Sequence, residues 1–222
     1  MSQMYDTKTE SYFGHARADI VELVRKYKPT SVLEIGAGTG ATLAELKRSQ
    51  VVQVAVGIEP HARLAACNTD LVDEFYTCSV EEAGVQLGSR QFDCIILADV
   101  LEHLVDPWSA LMQLSRLLSP TGVVVASIPN VGHYSVVFDL VLKQRFRYVQ
   151  EGLLDRTHLR FFCPDDMLEM FRSTGYAIES ISSNIEQESR SKKRFVSWLS
   201  RGRLDPLLAF RYYIVATRVR EG

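Results

Sequence analysis

The 222-residue chain lacks any C-x-x-C pair. Its four cysteines (Cys67, Cys78, Cys94 and Cys163) are scattered, which excludes a zinc knuckle and a disulfide framework. Three of them stand in apolar runs, where buried free thiols are expected. No stretch approaches the roughly 18–20 uninterrupted apolar residues that cross a bilayer. Met1 to Ile20 has no apolar core, so a secretory signal is not expected. Positive charge is not in excess: 25 Lys and Arg face 27 Asp and Glu, and wholesale nucleic-acid binding is therefore not expected. Internal repeats and low-complexity blocks are missing too. What remains, 46% apolar and 23% charged residues, is the mixture of a globular protein. The reading is a single cytoplasmic domain over residues 1–222.

Periodicity supplies the architecture. Phe13, Ile20, Leu23, Val24 and Tyr27 are spaced for a helix over Tyr12–Tyr27, closed by Lys28-Pro29. The strand Ser31–Ile35 runs into Gly36-Ala37-Gly38-Thr39-Gly40 and the helix Ala41–Arg48. Strands are then expected at Val51–Ile58, Glu74–Cys78, Phe92–Ala98 and Val123–Ile128. Helices are expected at Pro60–Asn68, Glu81–Leu87 and Pro107–Leu118, with Pro120-Thr121-Gly122 as a turn. After Val136 come an apolar helix to Leu142, a helix from Pro164 to Thr174, and strands Tyr176–Ser182 and Phe210–Arg218. Such alternation means βαβ units with right-handed crossovers. The expected fold is α/β: a doubly wound, mostly parallel seven-stranded sheet ending in an antiparallel hairpin.

Ligands of such sheets bind beyond the carboxyl ends of the strands. That rule selects Gly36–Gly40, Glu59, Ser79 and Val80, Asp99–His103, and Pro129-Asn130. Glycines after a strand allow a sharp bend with bare backbone, and the following helix start favours an anionic group. Glu59 closes the second strand and can accept from both hydroxyls of a ribose. Two cofactors satisfy this geometry. Gly36, Gly38 and Ala41 fit the dinucleotide pattern G-x-G-x-x-A; Gly36, Gly38 and Gly40, preceded by Glu34, fit G-x-G-x-G. A chain of this length leaves little room for a second nucleotide-binding half, which favours a single nucleoside ligand.

Val32-Leu33-Glu34-Ile35-Gly36-Ala37-Gly38-Thr39-Gly40 and Val56-Gly57-Ile58-Glu59 resemble the first and second motifs of the class I S-adenosylmethionine-dependent methyltransferases. Phe92-Asp93-Cys94-Ile95-Ile96 followed by Asp99-Val100-Leu101-Glu102-His103-Leu104 is similar to their segment after the fourth strand. Pro129-Asn130-Val131 and the run Leu154 to Phe162 resemble a bacterial subgroup associated with cell-surface polysaccharide biosynthesis. The resemblance covers Tyr12 to Ser182. It implies S-adenosyl-L-methionine as cofactor, held by Arg17, Glu34, Gly36, Ala37, Gly38, Gly40, Glu59, Pro60, Ser79, Val80, Ala98 and Asp99. Residues 12–28 would form a capping helix and 131–163 a cover over the acceptor. The subgroup carries an acid after the third strand where this chain has Cys78-Ser79-Val80.

The expected reaction is methyl transfer to oxygen of a saccharide or related small metabolite. His158 and His103 are the candidate bases, with Asp99 or Glu102 orienting His103. His158 can equally donate a substrate hydrogen bond or serve structure, and Asp99 can be a helix cap. Asn130, His133, Tyr134, Arg156 and Arg160 are candidate substrate residues. Lys143, Arg145, Arg147, Arg156 and Arg160 outnumber the nearby acids, which suits a phosphate-bearing acceptor. No metal site is indicated. Residues 186–209 read as a basic amphipathic insertion between the last two strands. Its stretch 190–208 suits an anionic membrane surface or an acidic partner, or else packs on its own domain. The alternatives to the methyltransferase are an NAD-type oxidoreductase and a cofactor-binding inactive scaffold in polysaccharide assembly.

Overall fold

The computed structural model describes residues 15–65, 70–187 and 192–219. Helix α1 (Ala18–Tyr27) leads to β1 (Ser31–Ile35), α2 (Ala41–Arg48), β2 (Val54–Ile58), α3 (Ala62–Ala65) and β3 (Glu74–Tyr76). Then come α4 (Ala83–Leu87), β4 (Phe92–Ala98), a 3-10 turn at Leu101–His103, α5 (Pro107–Leu114), a second 3-10 turn at Ser115–Leu117, and β5 (Leu118–Pro129). The chain closes with α6 (Tyr134–Lys143), α7 (Pro164–Ser173), β6 (Tyr176–Ser183), α8 (Asn184–Gln187), α9 (Lys192–Ser200), α10 (Asp205–Leu208) and β7 (Arg211–Arg218).

The strands form one seven-stranded sheet in the order β3-β2-β1-β4-β5-β7-β6. The first five pair in parallel, and β7 runs antiparallel to both β5 and β6. The expected doubly wound fold and its C-terminal antiparallel pair are both present. Both faces of the sheet are covered, because side chains alternate along each strand and are apolar on both sides. Leu33, Ile35, Ile95, Leu97, Val124 and Ala126 join one core with Met167, Phe171 and Tyr176. Val32, Cys94, Ile96, Val123 and Val125 join the other with Ile20, Val24, Leu43 and Leu46. Strand order reverses between β1 and β4, which opens a crevice at their carboxyl ends.

Several element boundaries differ from expectation for local reasons. Within the described residues the first helix starts at Ala18, because the Arg17 amide donates to Thr42 Oγ1; positions 12–14 lie outside the described residues. Val51 still bonds to Leu46 at the end of α2, so the second strand begins only at Val54. The third strand ends at Tyr76, two residues early, and α4 begins at Ala83. The helix expected to reach Leu118 breaks at Ser115, since Leu118 already pairs with Phe92. Pro120-Thr121-Gly122 therefore makes a bulge inside β5, where the pairing register jumps between Phe92 and Cys94. Of the helix expected over 60–68, Ala62–Ala65 is helical, and 66–69 lie outside the described residues.

Candidate active site

A cavity of about 850 Å³ lies over the crevice, within the range of small-molecule sites. Its floor is the glycine bend after β1. Gly36, Gly38 and Gly40 have φ of 68°, 56° and 73°, and a Cβ on Gly36 would stand 2.8 Å from Val100 Cγ2. No side chain fits there without displacing Val100. Of the expected cofactor residues, Arg17, Glu34, Gly36, Ala37, Gly38, Glu59, Pro60, Ser79, Val80, Ala98 and Asp99 line this cavity. Gly40 does not; it caps α2 in the left-handed conformation.

Glu59 joins the two motifs physically. Its Oε2 accepts from the Gly38 amide at 2.9 Å, and its Oε1 accepts from the His61 amide at 3.0 Å and from His61 Nδ1 at 2.7 Å. Glu34, the acid ahead of the glycines, is buried, and one of its oxygens has no hydrogen-bond partner. Burial pushes its carboxyl up to about 8 against the pull of Arg17. Seven carboxylate residues line the cavity (Glu34, Glu59, Glu81, Asp99, Glu102, Glu151 and Asp155), against two arginines, Arg17 and Arg211.

Asp99 is a charge hub rather than a helix cap. It sits at φ 56°, a strained backbone for a residue other than glycine, and accepts from Arg17 at 2.6 Å, Arg211 at 3.1 Å and Ser127 at 2.8 Å. The cap of α5 is Asp106 instead. Arg17 also holds Asp19, which in turn accepts from Tyr213. Burial would raise the Asp19 carboxyl, but Arg17 outweighs it and holds the group down at about 2.

His103 and His158 come from segments 55 residues apart yet meet edge to face, ring centres 4.8 Å apart, on the cavity wall. The amides of Leu159 and Arg160 both donate to the Glu102 carbonyl, fastening the loop that carries His158 to the turn that carries His103. His103 Nδ1 lies 3.0 Å from the Thr157 carbonyl and His158 Nδ1 3.1 Å from the Leu153 carbonyl. A carbonyl only accepts, so in each ring Nδ1 carries a proton. Glu102 beside them is 1% exposed, and neither carboxyl oxygen has a hydrogen-bond partner. Burial, then the nearby Asp99, lifts its carboxyl well above the usual range.

The five expected substrate residues do not line the cavity. Asn130 is buried and ties the chain together, donating to the Pro206 and Ala209 carbonyls and accepting from the Gly132 amide. His133 caps α6, Tyr134 and Arg156 face outward, and Arg160 donates to the Val105 carbonyl. Thr42, His61, Asp155, Phe210 and Arg211 line the cavity without having been expected there. Arg211 opens the last strand and reaches the site only because β7 inserts beside β5, a topology no local pattern encodes. Glu102, His103 and His158 also bring one carboxylate oxygen and two ring nitrogens within 4.8 Å of one another on the cavity wall.

The methyltransferase domain family model matches residues 9–181. A ubiquinone biosynthesis O-methyltransferase of Vibrio cholerae is 30% identical over 156 residues, 68% of this chain and 62% of that protein. One from Aliivibrio fischeri is 32% identical over 149 residues, covering 64% of this chain and 62% of its own length. The match thus spans less than two thirds of these relatives. Among solved structures, a SAM-dependent methyltransferase from Archaeoglobus fulgidus superposes with a TM-score of 0.65 at 16% identity, over 94% of this chain and 97% of that one. The plantazolicin methyltransferase BpumL, in complex with a desmethyl plantazolicin analogue and SAH, gives 0.65 at 17% identity over 99% and 88%.

Proposed function

Because the chain belongs to the class I S-adenosylmethionine-dependent methyltransferase family, we propose that it transfers a methyl group from S-adenosyl-L-methionine to a hydroxyl oxygen of a small acceptor. The carrying observation is the joint wall made by the glycine bend and Glu59, linked through the Gly38 amide. The dinucleotide reading loses its ground with the family. When bound, the cofactor supplies an activated methyl on a sulfonium.

The residues present fit that group. Glu59 is assigned to the ribose hydroxyls. Glu34, with its orphaned buried oxygen, is assigned to the ammonium of the amino-acid end, and Arg17, braced by Asp19 and Asp99, to the same end. The backbone at Gly36, Ala37 and Gly38 gives close approach; Pro60, Ser79, Val80 and Ala98 wall the nucleoside. His103 and His158 act on the acceptor hydroxyl, making its proton easier to remove. Residues 131–163 serve as the acceptor-side cover, since Glu151, Gly152, Asp155 and His158 all line the cavity. Holding donor and acceptor in line contributes about 7–11 kcal/mol.

For the acceptor we favour a phenolic hydroxyl, as the names of the relatives suggest. Phe146, Tyr148 and Phe161 cluster beside His158 and offer an aromatic flank. A saccharide acceptor of the polysaccharide-biosynthesis kind is the second reading, supported by the exposed Arg145, Arg147 and Arg156. The insertion after β6 is read as a peripheral contact with an anionic membrane. Phe195, Trp198 and Leu199 are exposed beside Arg201 and Arg203, and no helix of the described residues is long and apolar enough to cross a membrane. Incubation with methyl-labelled cofactor and a panel of catechols and phosphorylated sugars tests the assignment. Label in a catechol supports the phenolic reading, label in a sugar the second, and label in neither, with folded protein, defeats both.

A further inference from the structure

We propose that Arg211 determines acceptor specificity by binding an oxyanion, a carboxylate or phosphate, that the acceptor carries apart from the oxygen to be methylated. As an acceptor residue, Arg211 rests on the methyltransferase reading; as an anion-binding residue it does not.

Two arginines line the cavity, and their donors are used very differently. A guanidinium offers five N–H groups. Arg17 uses four of them: Nε and Nη2 on Asp19, Nη1 on Asp99 at 2.6 Å, and Nη2 again on Ser127 at 3.2 Å. Arg211 uses one, from Nη1 to Asp99 at 3.1 Å, the single hydrogen bond of its side chain among the described residues. Both arginines address the same Asp99 oxygen, and Arg17 has the shorter bond. Arg211 therefore keeps four N–H groups on a side chain only 26% exposed. In such partial burial a charge-assisted bond gains more than it does in open water.

The sheet places this residue beyond the cofactor. Neighbouring strands stand about 4.8 Å apart. In the order β2-β1-β4-β5-β7, the start of β7 is then about 14 Å across the sheet from the glycine bend after β1, and about 19 Å from Glu59 after β2. Arg211 pairs with Pro129 at the carboxyl end of β5, and both line the cavity with Phe210. Its backbone is pinned, because the Phe210 and Arg211 amides both donate to Asn184 Oδ1, at 2.8 and 3.2 Å. Asp99 links it to Arg17, so one carboxylate braces the arginine of the cofactor end and the arginine of the acceptor end.

His103 and His158 are assigned to the hydroxyl that is methylated, which leaves Arg211 for a second group of the same acceptor. A planar guanidinium matches a carboxylate or phosphate through two parallel bonds, a geometry that an ammonium lacks. A neutral acceptor of the same shape leaves those donors unanswered, and discrimination between the two follows.

The test uses the full chain saturated with S-adenosylhomocysteine and titrated by calorimetry with two pairs of probes. One pair is 3,4-dihydroxybenzoate and 3,4-dihydroxybenzyl alcohol; the other is glucose 6-phosphate and glucose. The charged member of one pair should bind at least tenfold more tightly than its neutral partner, the size of one charge-assisted bond. The pair with the larger preference distinguishes carboxylate from phosphate. Arg211→Gln should abolish the preference while the neutral probes and S-adenosylhomocysteine bind as before, and Arg211→Lys should retain part of it. No charge preference in the wild type, an undiminished preference in Arg211→Gln, or a matching loss of S-adenosylhomocysteine affinity in that variant would overturn the assignment. Should Arg211→Gln fail to fold, Arg211→Lys decides: a reduced preference supports the assignment and an unchanged one overturns it. Absence of S-adenosylhomocysteine binding defeats the methyltransferase reading alone, with the charge preference then measured on the free chain. Binding of S-adenosylhomocysteine without a charge preference defeats the Arg211 assignment alone.

Discussion

Replacing Glu59 probes the cofactor wall most sharply. A carboxylate has about four acceptor positions. Three are filled here, by the Gly38 amide, the His61 amide and His61 Nδ1. Two ribose hydroxyls therefore need one vacant position and one yielded by His61. The net gain is about one charge-assisted bond, about 1.5–3 kcal/mol. Glu59→Gln should weaken S-adenosylhomocysteine binding roughly 10- to 150-fold by that measure. Glu59→Ala should lose more, because it also leaves the buried Gly38 amide without its partner. Titration calorimetry reads both, and circular dichroism of each variant confirms the fold. Wild-type affinity in folded Glu59→Gln would refute the ribose assignment.

Other outcomes follow from the same geometry. His158→Ala should lower kcat about 10²–10⁴-fold while S-adenosylhomocysteine affinity holds, a split that steady-state kinetics with calorimetry resolves. Burial places the Glu34 carboxyl at about 8, above its ordinary 4.5, so between those values the folded chain keeps a proton that the unfolded chain has lost. Stability without ligand should therefore fall as pH rises from about 4.5 to about 8, and Glu34→Gln should flatten that slope in urea titrations. The chain should co-sediment with anionic vesicles and not with neutral ones, and a Trp198→Ser, Leu199→Ser double variant should lose most of that pelleting. Equal pelleting of the double variant would move the contact elsewhere.

The parts legible in the sequence were those written as local patterns. β1 and β4 begin and end where apolar runs meet turn residues, because buried parallel strands need no polar alternation. The glycine bend and Glu59 stand at strand ends, where the fold itself puts the cavity. His103 and His158 stand out in the sequence as loop histidines beyond strands, and both line the cavity. What the sequence hid was long-range. Asn130 looks like a site residue from its position after β5, yet its amide is consumed by the Pro206 and Ala209 carbonyls, more than seventy residues downstream. Arg160 is consumed likewise by Val105. Glu102 is unremarkable in a helical turn until the loop at Leu159 and Arg160 seals it from water. Arg211 enters the site through a strand insertion that only the assembled sheet defines.

Whether this cavity takes an adenosyl sulfonium cofactor is decided most directly by native mass spectrometry of the purified chain, offered equal concentrations of S-adenosylhomocysteine and NAD. One S-adenosylhomocysteine per chain and no NAD adduct is the predicted spectrum. An NAD adduct, or neither adduct in folded protein, would contradict it.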